Sequence, residues 1–213
     1  MAEKKLIITS IITGDIIQSR KISNSQWLPK LKKALSLEGK SPATWQIYRG
    51  DSFQVEVKDP SKAFLSALRI KATVKTIKNL DVRMAIGIGE KRFESKNIAE
   101  SDGEAFVRSG EKFETLKKEK QTLAIKTPWP DFDQEMNICF RLASILMDNW
   151  TKNSAELIQI LISHQNLTQK ALAKRLGISQ PSVSERYNRS HYGEILALEG
   201  LYREKVNKLI SGK

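Results

Sequence analysis

Hydrophobic positions along the 213-residue chain change their spacing several times, and these changes predict an alternation of strands and helices. Apolar β-formers begin the chain, whereas Phe64, Ala67, Ile70 and Val74 recur three to four positions apart, as they would on one face of a helix. The pattern predicts, in order, a strand over 5–13, a helix over 24–37, strands over 44–49 and 52–57, a helix over 60–79, a strand over 82–90, a helix over 101–118 and a strand over 121–127. The first six elements match a split βαβ unit, so we expect an α+β protein with a ferredoxin-like antiparallel sheet.

Two prolines around a tryptophan, in TPWPDFD (127–133), predict the end of this sheet. The helix expected over 132–150 has an apolar stripe, which predicts a packing surface toward another domain or a second subunit. A polar break follows, with Ser154 as the predicted N-cap of the next helix. We therefore expect a sheet domain over 1–128, a connecting helix over 129–153 and an all-α domain over 154–213.

The segment LTQKALAKRLGISQPSVSERYNRSHY (167–192) predicts a helix-turn-helix. Thr168 and Ser179 are the residue types that cap helix N-termini, and each precedes a helical pattern. Gly177 lies between the two patterns, where the left-handed conformation that ends a helix is needed. The outward face of the second helix is expected to contact DNA through Gln180, Ser182, Arg186 and Arg189. A helical hairpin used only for protein contacts is the alternative.

Composition agrees with a polyanionic partner and excludes some kinds of site. The formal net charge is +12, and clustered lysine and arginine bind a phosphate backbone by releasing its counterions. One cysteine and two histidines exclude an internal disulfide and make a tetrahedral zinc site implausible. No segment has the roughly 20 consecutive apolar residues that cross a bilayer, and the first residues lack a signal-peptide cleavage site. We expect no membrane partner and a cytoplasmic location.

Two aspartates in the sheet domain predict a cation site. Asp15 is expected to follow the first strand, and Asp51 to lie in the turn of the hairpin YRGDSFQ (48–54). If these strands are neighbours, the two carboxylates meet at one edge and repel each other unless a cation or a proton joins them. Carboxylate oxygens suit Mg²⁺. The alternative is that Gly-Asp steps are ordinary turn residues.

Several of these segments together resemble a known family. The strand aspartate with IIQS, the hairpin GDSFQ and the strand RMAIGIGE look like the palm-type core of class III nucleotide cyclases and their GGDEF relatives. GDIIQSR, GDSFQ, SDGEAF and LTQKALAKRLGISQPSVS, in this order, are more similar to the SatD-like bacterial proteins. This resemblance covers nearly the whole chain and implies a palm domain joined to a DNA-binding helix-turn-helix.

The resemblance also implies site residues. Asp15, Asp51 and the carbonyl of Ile16 correspond to metal ligands, with Mg²⁺ or Mn²⁺ and a nucleotide as cofactors, and Arg108 and Lys112 are candidates for nucleotide contacts. The leading hypothesis is a DNA-binding transcription regulator, expected to be a homodimer, whose palm domain binds a nucleotide or a divalent metal. One alternative is a nucleotidyl cyclase or nucleotidyltransferase that uses Asp15 and Asp51 with two metals. Another is a palm domain that serves only as an inactive dimerisation scaffold.

Overall fold

The computed structural model describes residues 7–164 and 167–212, so the predicted strand positions Lys5 and Leu6 lie outside the described residues. The strands are β1 Ile8–Ile17, β2 Trp45–Tyr48, β3 Ser52–Val57, β4 Asp81–Phe93, β5 Asp102–Gly103 and β6 Leu123–Lys126. The helices are α1 Asn24–Leu35, α2 Ala63–Lys75, α3 Glu104–Leu116, α4 Pro130–Met147, α5 Lys152–Ser163, α6 Gln169–Leu176, α7 Gln180–Ser190 and α8 Tyr192–Ser211. The chain is thus an α+β protein, as its hydrophobic pattern predicts.

The strands form one sheet in the order β2-β3-β1-β4-β5, and β6 pairs in parallel with β4. All other pairings are antiparallel. One face of the sheet carries apolar side chains such as Ile12 and Phe53, which belong to the main core together with residues of α1 and α2. The other face is covered in part by α3, where the hydroxyls of Thr13 and Ser109 lie 3.0 Å apart. The sheet is therefore a layer with helices on both sides.

Glycines in β4 let α3 approach the sheet at backbone distance. A Cβ at Gly87 would lie 2.3 Å from the carbonyl oxygen of Ala105, and one at Gly89 would lie 2.9 Å from the amide nitrogen of the same residue. Any larger side chain at these two positions pushes the helix off the strand.

The prediction that β1 ends at residue 13 is wrong. β1 continues to Ile17 and pairs with β3 on one side and β4 on the other. Gly14, which suggested a turn, is instead a close-packing position: a Cβ there would lie 2.5 Å from the ring of Phe53 and 2.7 Å from the carbonyl oxygen of Arg83. Asp15 therefore lies within a central strand and does not follow it.

The main core includes side chains from all three predicted segments. Phe64 of α2, Phe140 of α4 and Tyr202 of α8 are packed together, with ring centroids 4.6 Å apart for the two phenylalanines. The hydroxyl of Tyr202 donates to the carbonyl oxygen of Pro60 over 2.9 Å, so α8 is bound to the turn that precedes α2. The apolar stripe predicted for α4 is buried in this core, with Cys139 partly buried. The division at residues 128 and 153 stays a prediction.

A charged cluster links α2, β4 and the end of α4. The ammonium group of Lys71, which is 1% exposed, lies 2.8 Å from a carboxylate oxygen of Asp81 and 2.6 Å from one of Asp148. Lys75 also pairs with Asp81, at 3.3 Å. Thr122 donates its hydroxyl to Asp148 over 2.8 Å. Because each charge has an opposite partner, the cluster is tolerated beside the core.

A smaller core joins α5, α6 and α7 through Leu157, Leu172, Ala173 and Val183. The caps predicted for α6 and α7 are confirmed: Thr168 accepts from the amide of Ala171, and Ser179 from that of Ser182. Gly177 adopts the predicted left-handed conformation, with φ 64°. The N-cap predicted at Ser154 is wrong, because α5 begins earlier and its cap is Thr151. Among the described residues, no helix combines the length and apolar character needed to span a bilayer.

Candidate functional site

Asp15 forms a two-point ion pair with Arg83 of the neighbouring strand. Nε of Arg83 lies 2.9 Å from one carboxylate oxygen and Nη2 lies 2.5 Å from the other. The two residues are directly opposite in the β1–β4 register, which explains why their side chains meet. Hydrogen bonding to Asp15 raises the pKa of Arg83 above its ordinary value, and the charges of Asp15 and Asp51 add to the shift. Both side chains are about one-fifth exposed, so the pair lies in the sheet surface.

Asp51 lies beside this pair, as the sequence predicts, but it has its own partner. The backbone nitrogen of Ile16 donates to the carbonyl oxygen of Asp51 over 3.1 Å, which places the hairpin turn against β1. The carboxylate of Asp51 accepts a 2.5 Å hydrogen bond from the hydroxyl of Ser19. Each carboxylate is therefore satisfied by a different protein group.

These contacts bear on the expected metal site. A divalent ion bound by Asp15 and Asp51 would have to displace the guanidinium of Arg83, which already neutralises Asp15 and acts on Asp51 through its charge. Within residues 7–164 and 167–212, no three His, Cys, Asp or Glu side chains are grouped as metal ligands would be. The ion pair with Arg83 therefore competes with a divalent ion for Asp15, and the metal site of Asp15, Asp51 and the Ile16 carbonyl stays a prediction.

The two candidate nucleotide contacts, Arg108 and Lys112, each have a partner within the protein. Arg108 donates to the carbonyl oxygen of Ile88 over 3.0 Å and pairs with Glu104 at 2.7 Å, so it fastens α3 to β4. Lys112 pairs with Glu119 at 2.9 Å and lines grooves beside β6 and α4. Both side chains therefore have partners within the protein, and their contact with a nucleotide stays a prediction.

The four residues predicted to contact DNA all lie on α7. Gln180 and Arg189 are exposed, and Ser182 and Arg186 are partly buried. Arg189 pairs with Glu185 at 2.7 Å, but its side chain is still 76% exposed. An exposed ion pair of this kind contributes little to stability, so its arginine is available to an anion.

A groove of about 610 Å³ runs between α7 and the turn that joins α4 to α5. Ser182, Glu185, Arg186 and Arg189 line one wall, and the other wall is formed by four polar residues: Asn149, Thr151, Asn153 and Ser154. The hydrophobic and polar pattern of the chain does not predict this second wall. Its only signal is the polar segment NWTKNS, which is equally typical of a loop.

Basic residues surround this face. Residues 167–191 carry five cations, Lys170, Lys174, Arg175, Arg186 and Arg189, against the single carboxylate of Glu185. All three cations of α6 are exposed. The local field around α6 and α7 therefore attracts anions.

The fold and these surfaces define an α+β protein in which an antiparallel sheet layer is joined to a basic group of C-terminal helices. The chain belongs to the SatD family, because the model of that family matches residues 8–196. The match covers both the sheet and the helices up to the start of α8. No curated protein and no solved structure matches the chain.

Proposed function

We propose that α6 and α7 form a helix-turn-helix and that the protein is a DNA-binding transcription regulator. One observation carries this proposal: two capped helices joined through left-handed Gly177 pack on α5 through a common core, and the second helix presents arginines outward. In helix-turn-helix proteins such a second helix enters the major groove.

The residues of α7 suit different parts of that contact. Gln180 is at the first turn of the helix, where recognition helices contact base edges, and a glutamine amide pairs with adenine. Arg186 and Arg189 offer guanidinium groups that bind either guanine or a phosphate. The exposed cations of α6 add contacts to the phosphate backbone that do not depend on base sequence.

For the N-terminal part we infer a ferredoxin-like, palm-related sheet. The strand order β2-β3-β1-β4, with α1 and α2 packed on one face, supports this inference. The contacts of Asp15 with Arg83 and of Asp51 with Ser19 support a structural role better than a two-metal cyclase or transferase site. The sheet layer is then a scaffold for the helices rather than a catalytic unit.

DNA binding is tested with the Arg186→Ala, Arg189→Ala double variant. The affinity of the wild-type protein for duplexes selected from a random pool is measured by fluorescence anisotropy over a range of salt concentrations. We expect the variant to bind at least about tenfold more weakly, because each specific arginine–base contact contributes about 1–3 kcal/mol. Where an arginine contacts phosphate instead, the slope of log affinity against log salt falls by about one per contact.

The matched control is Lys117→Ala, Lys118→Ala, which removes the same charge from exposed positions after α3. This control is expected to bind DNA as the wild type does. An equal loss in both variants would show only general charge attraction, and no selection of any duplex would contradict the proposed function.

The proposal includes a homodimer, because helix-turn-helix proteins commonly bind two half-sites through two-fold symmetry. An exposed apolar stripe on α4 supports it: Ile138, Leu142 and Ile145 are 44%, 61% and 63% exposed and recur at helical spacing. We expect analytical ultracentrifugation to show a dimer that Leu142→Asp converts to a monomer. A wild-type monomer at all concentrations would contradict this part of the proposal.

A further inference from the structure

A cavity of about 440 Å³ lies where α1 and α2 meet α5 and α6. Its volume is in the range of small-molecule sites. Buried hydroxyls of Thr73 and Thr76 lie in it, and the side-chain amide of Gln159 donates to Thr73 over 2.7 Å. Leu37 and Ile160 add apolar surface. The cavity thus combines polar groups with an apolar wall, as binding sites for small molecules do.

The charge of its lining is strongly unbalanced. Four cations line the cavity against one carboxylate, that of Glu156; the cations are Lys30, Lys33, Arg69 and Arg175. They come from three different helices, so the charge results from the way these helices pack and not from one basic segment. A concave surface with one sign of charge concentrates ions of the opposite sign.

Among the residues that the structure describes, two of these cations have a protein partner and two have none. Arg69 pairs with Glu38 at 3.1 Å, and Lys30 donates to the hydroxyl of Thr76 over 3.2 Å. In the part of the chain that the structure describes, Lys33 and Arg175 make no ion pair. Lys33 belongs to α1 and Arg175 to α6, so the two available charges lie on separate elements of the cavity wall.

We propose that this cavity binds a small phosphorylated molecule with a flat apolar part, which is the chemistry of a nucleotide. The phosphates lie at Lys33 and Arg175, and the ring lies against Leu37 and Ile160. Arginine and lysine are the residues that bind phosphate oxygens by charge-assisted hydrogen bonds. The site differs from that expected at Asp15 and Asp51, and it requires no metal.

The position of the cavity couples such a ligand to the C-terminal helices. A phosphate held by both Lys33 and Arg175 joins α1 to α6, and α6 is separated from α7 only by the turn at Gly177. A ligand shifts a conformational equilibrium only if it binds one arrangement more tightly than the other. A ligand that contacts both α1 and α6 meets this condition if these two helices change their relative position, because only one arrangement then brings both cations to the phosphate.

The test measures the binding of ATP, GTP, AMP and pyrophosphate to the full-length protein by isothermal titration calorimetry, without DNA and without divalent metal. We expect at least one of the three nucleotides to bind more tightly than pyrophosphate, because only a nucleotide also contacts the apolar wall. The Lys33→Ala, Arg175→Ala variant is expected to bind that nucleotide at least about tenfold more weakly, the equivalent of about 1.4 kcal/mol. Both side chains are exposed, so the variant is expected to keep its fold, which its melting temperature checks.

The matched control is Lys32→Ala, Lys174→Ala, since each of these exposed lysines is the sequence neighbour of a tested residue and lies outside the cavity lining. An equal loss in the control, or no binding of any nucleotide up to about 1 mM, would overturn the proposal. So would a Lys33→Ala, Arg175→Ala variant that loses affinity for DNA but not for nucleotide, because these residues would then contact the DNA backbone. Since nucleotide binding is measured without DNA, its outcome is independent of the proposed function.

Discussion

Lys71→Met is expected to lower the free energy of unfolding by about 3 kcal/mol, because it leaves Asp148 without its buried cation and Asp81 with Lys75 alone. Asp81 and Asp148 lie 2.8 Å and 2.6 Å from the Lys71 ammonium group, whereas methionine keeps most of the side-chain volume and supplies no charge. Chemical denaturation followed by circular dichroism measures the change.

Two further variants show whether charge is the cause. Lys62→Met, at a side chain that is 63% exposed, is the control and is expected to change stability by less than about 0.5 kcal/mol. Adding Asp148→Asn to Lys71→Met removes the carboxylate that has lost its cation, so part of the lost stability is expected to return. Strict additivity of the two changes would contradict a direct interaction between them.

Phe140→Ala is expected to cost about 3–5 kcal/mol, the usual range for a fully buried phenylalanine. Its side chain is 0% exposed and contacts the rings of Phe64 in α2 and Tyr202 in α8. The loss therefore weakens the attachment of α8 as well as the core. Urea denaturation is monitored by tryptophan fluorescence, which reports the packing of the core, and by circular dichroism, which reports the helices, including α8.

The same substitution at Phe93, which is 58% exposed, is the control and is expected to be nearly neutral. If Phe140→Ala were as mild as Phe93→Ala, the aromatic cluster would not hold the C-terminal helices against the sheet layer.

Local structure was the part most accessible from the sequence. Helical spacing of apolar residues predicted α2. The preference of threonine and serine for N-caps predicted the caps at Thr168 and Ser179, and the preference of glycine for the left-handed conformation predicted the turn at Gly177. These features depend on neighbours within a few positions, so a local pattern is enough to predict them. The error at Gly14 has the opposite cause, because whether a glycine ends a strand or allows close packing depends on residues distant in sequence, here Phe53 and Arg83.

The candidate sites also contain some features that the sequence predicts and others that depend on residues far apart in the chain. The split βαβ arrangement expected from the element order would bring Asp15 and Asp51 to one edge, and the backbone contact between Ile16 and Asp51 agrees with it. The sequence did not indicate that Arg83 would pair with Asp15, since their meeting depends on the register of β1 against β4. The cavity between α1, α2, α5 and α6 left no signal, because its cations come from separate segments.

The sequence by itself determined the order of the elements, the SatD resemblance and the basic, capped helices at the C-terminus. Only the tertiary structure decided which charges are neutralised within the protein and which are available to a ligand. The physical reason is that an ion pair depends on distances of a few ångströms between residues far apart in the chain. Asp15 is neutralised by Arg83 in this way, whereas Lys33 and Arg175 face a shared cavity without an acidic partner of their own among the described residues.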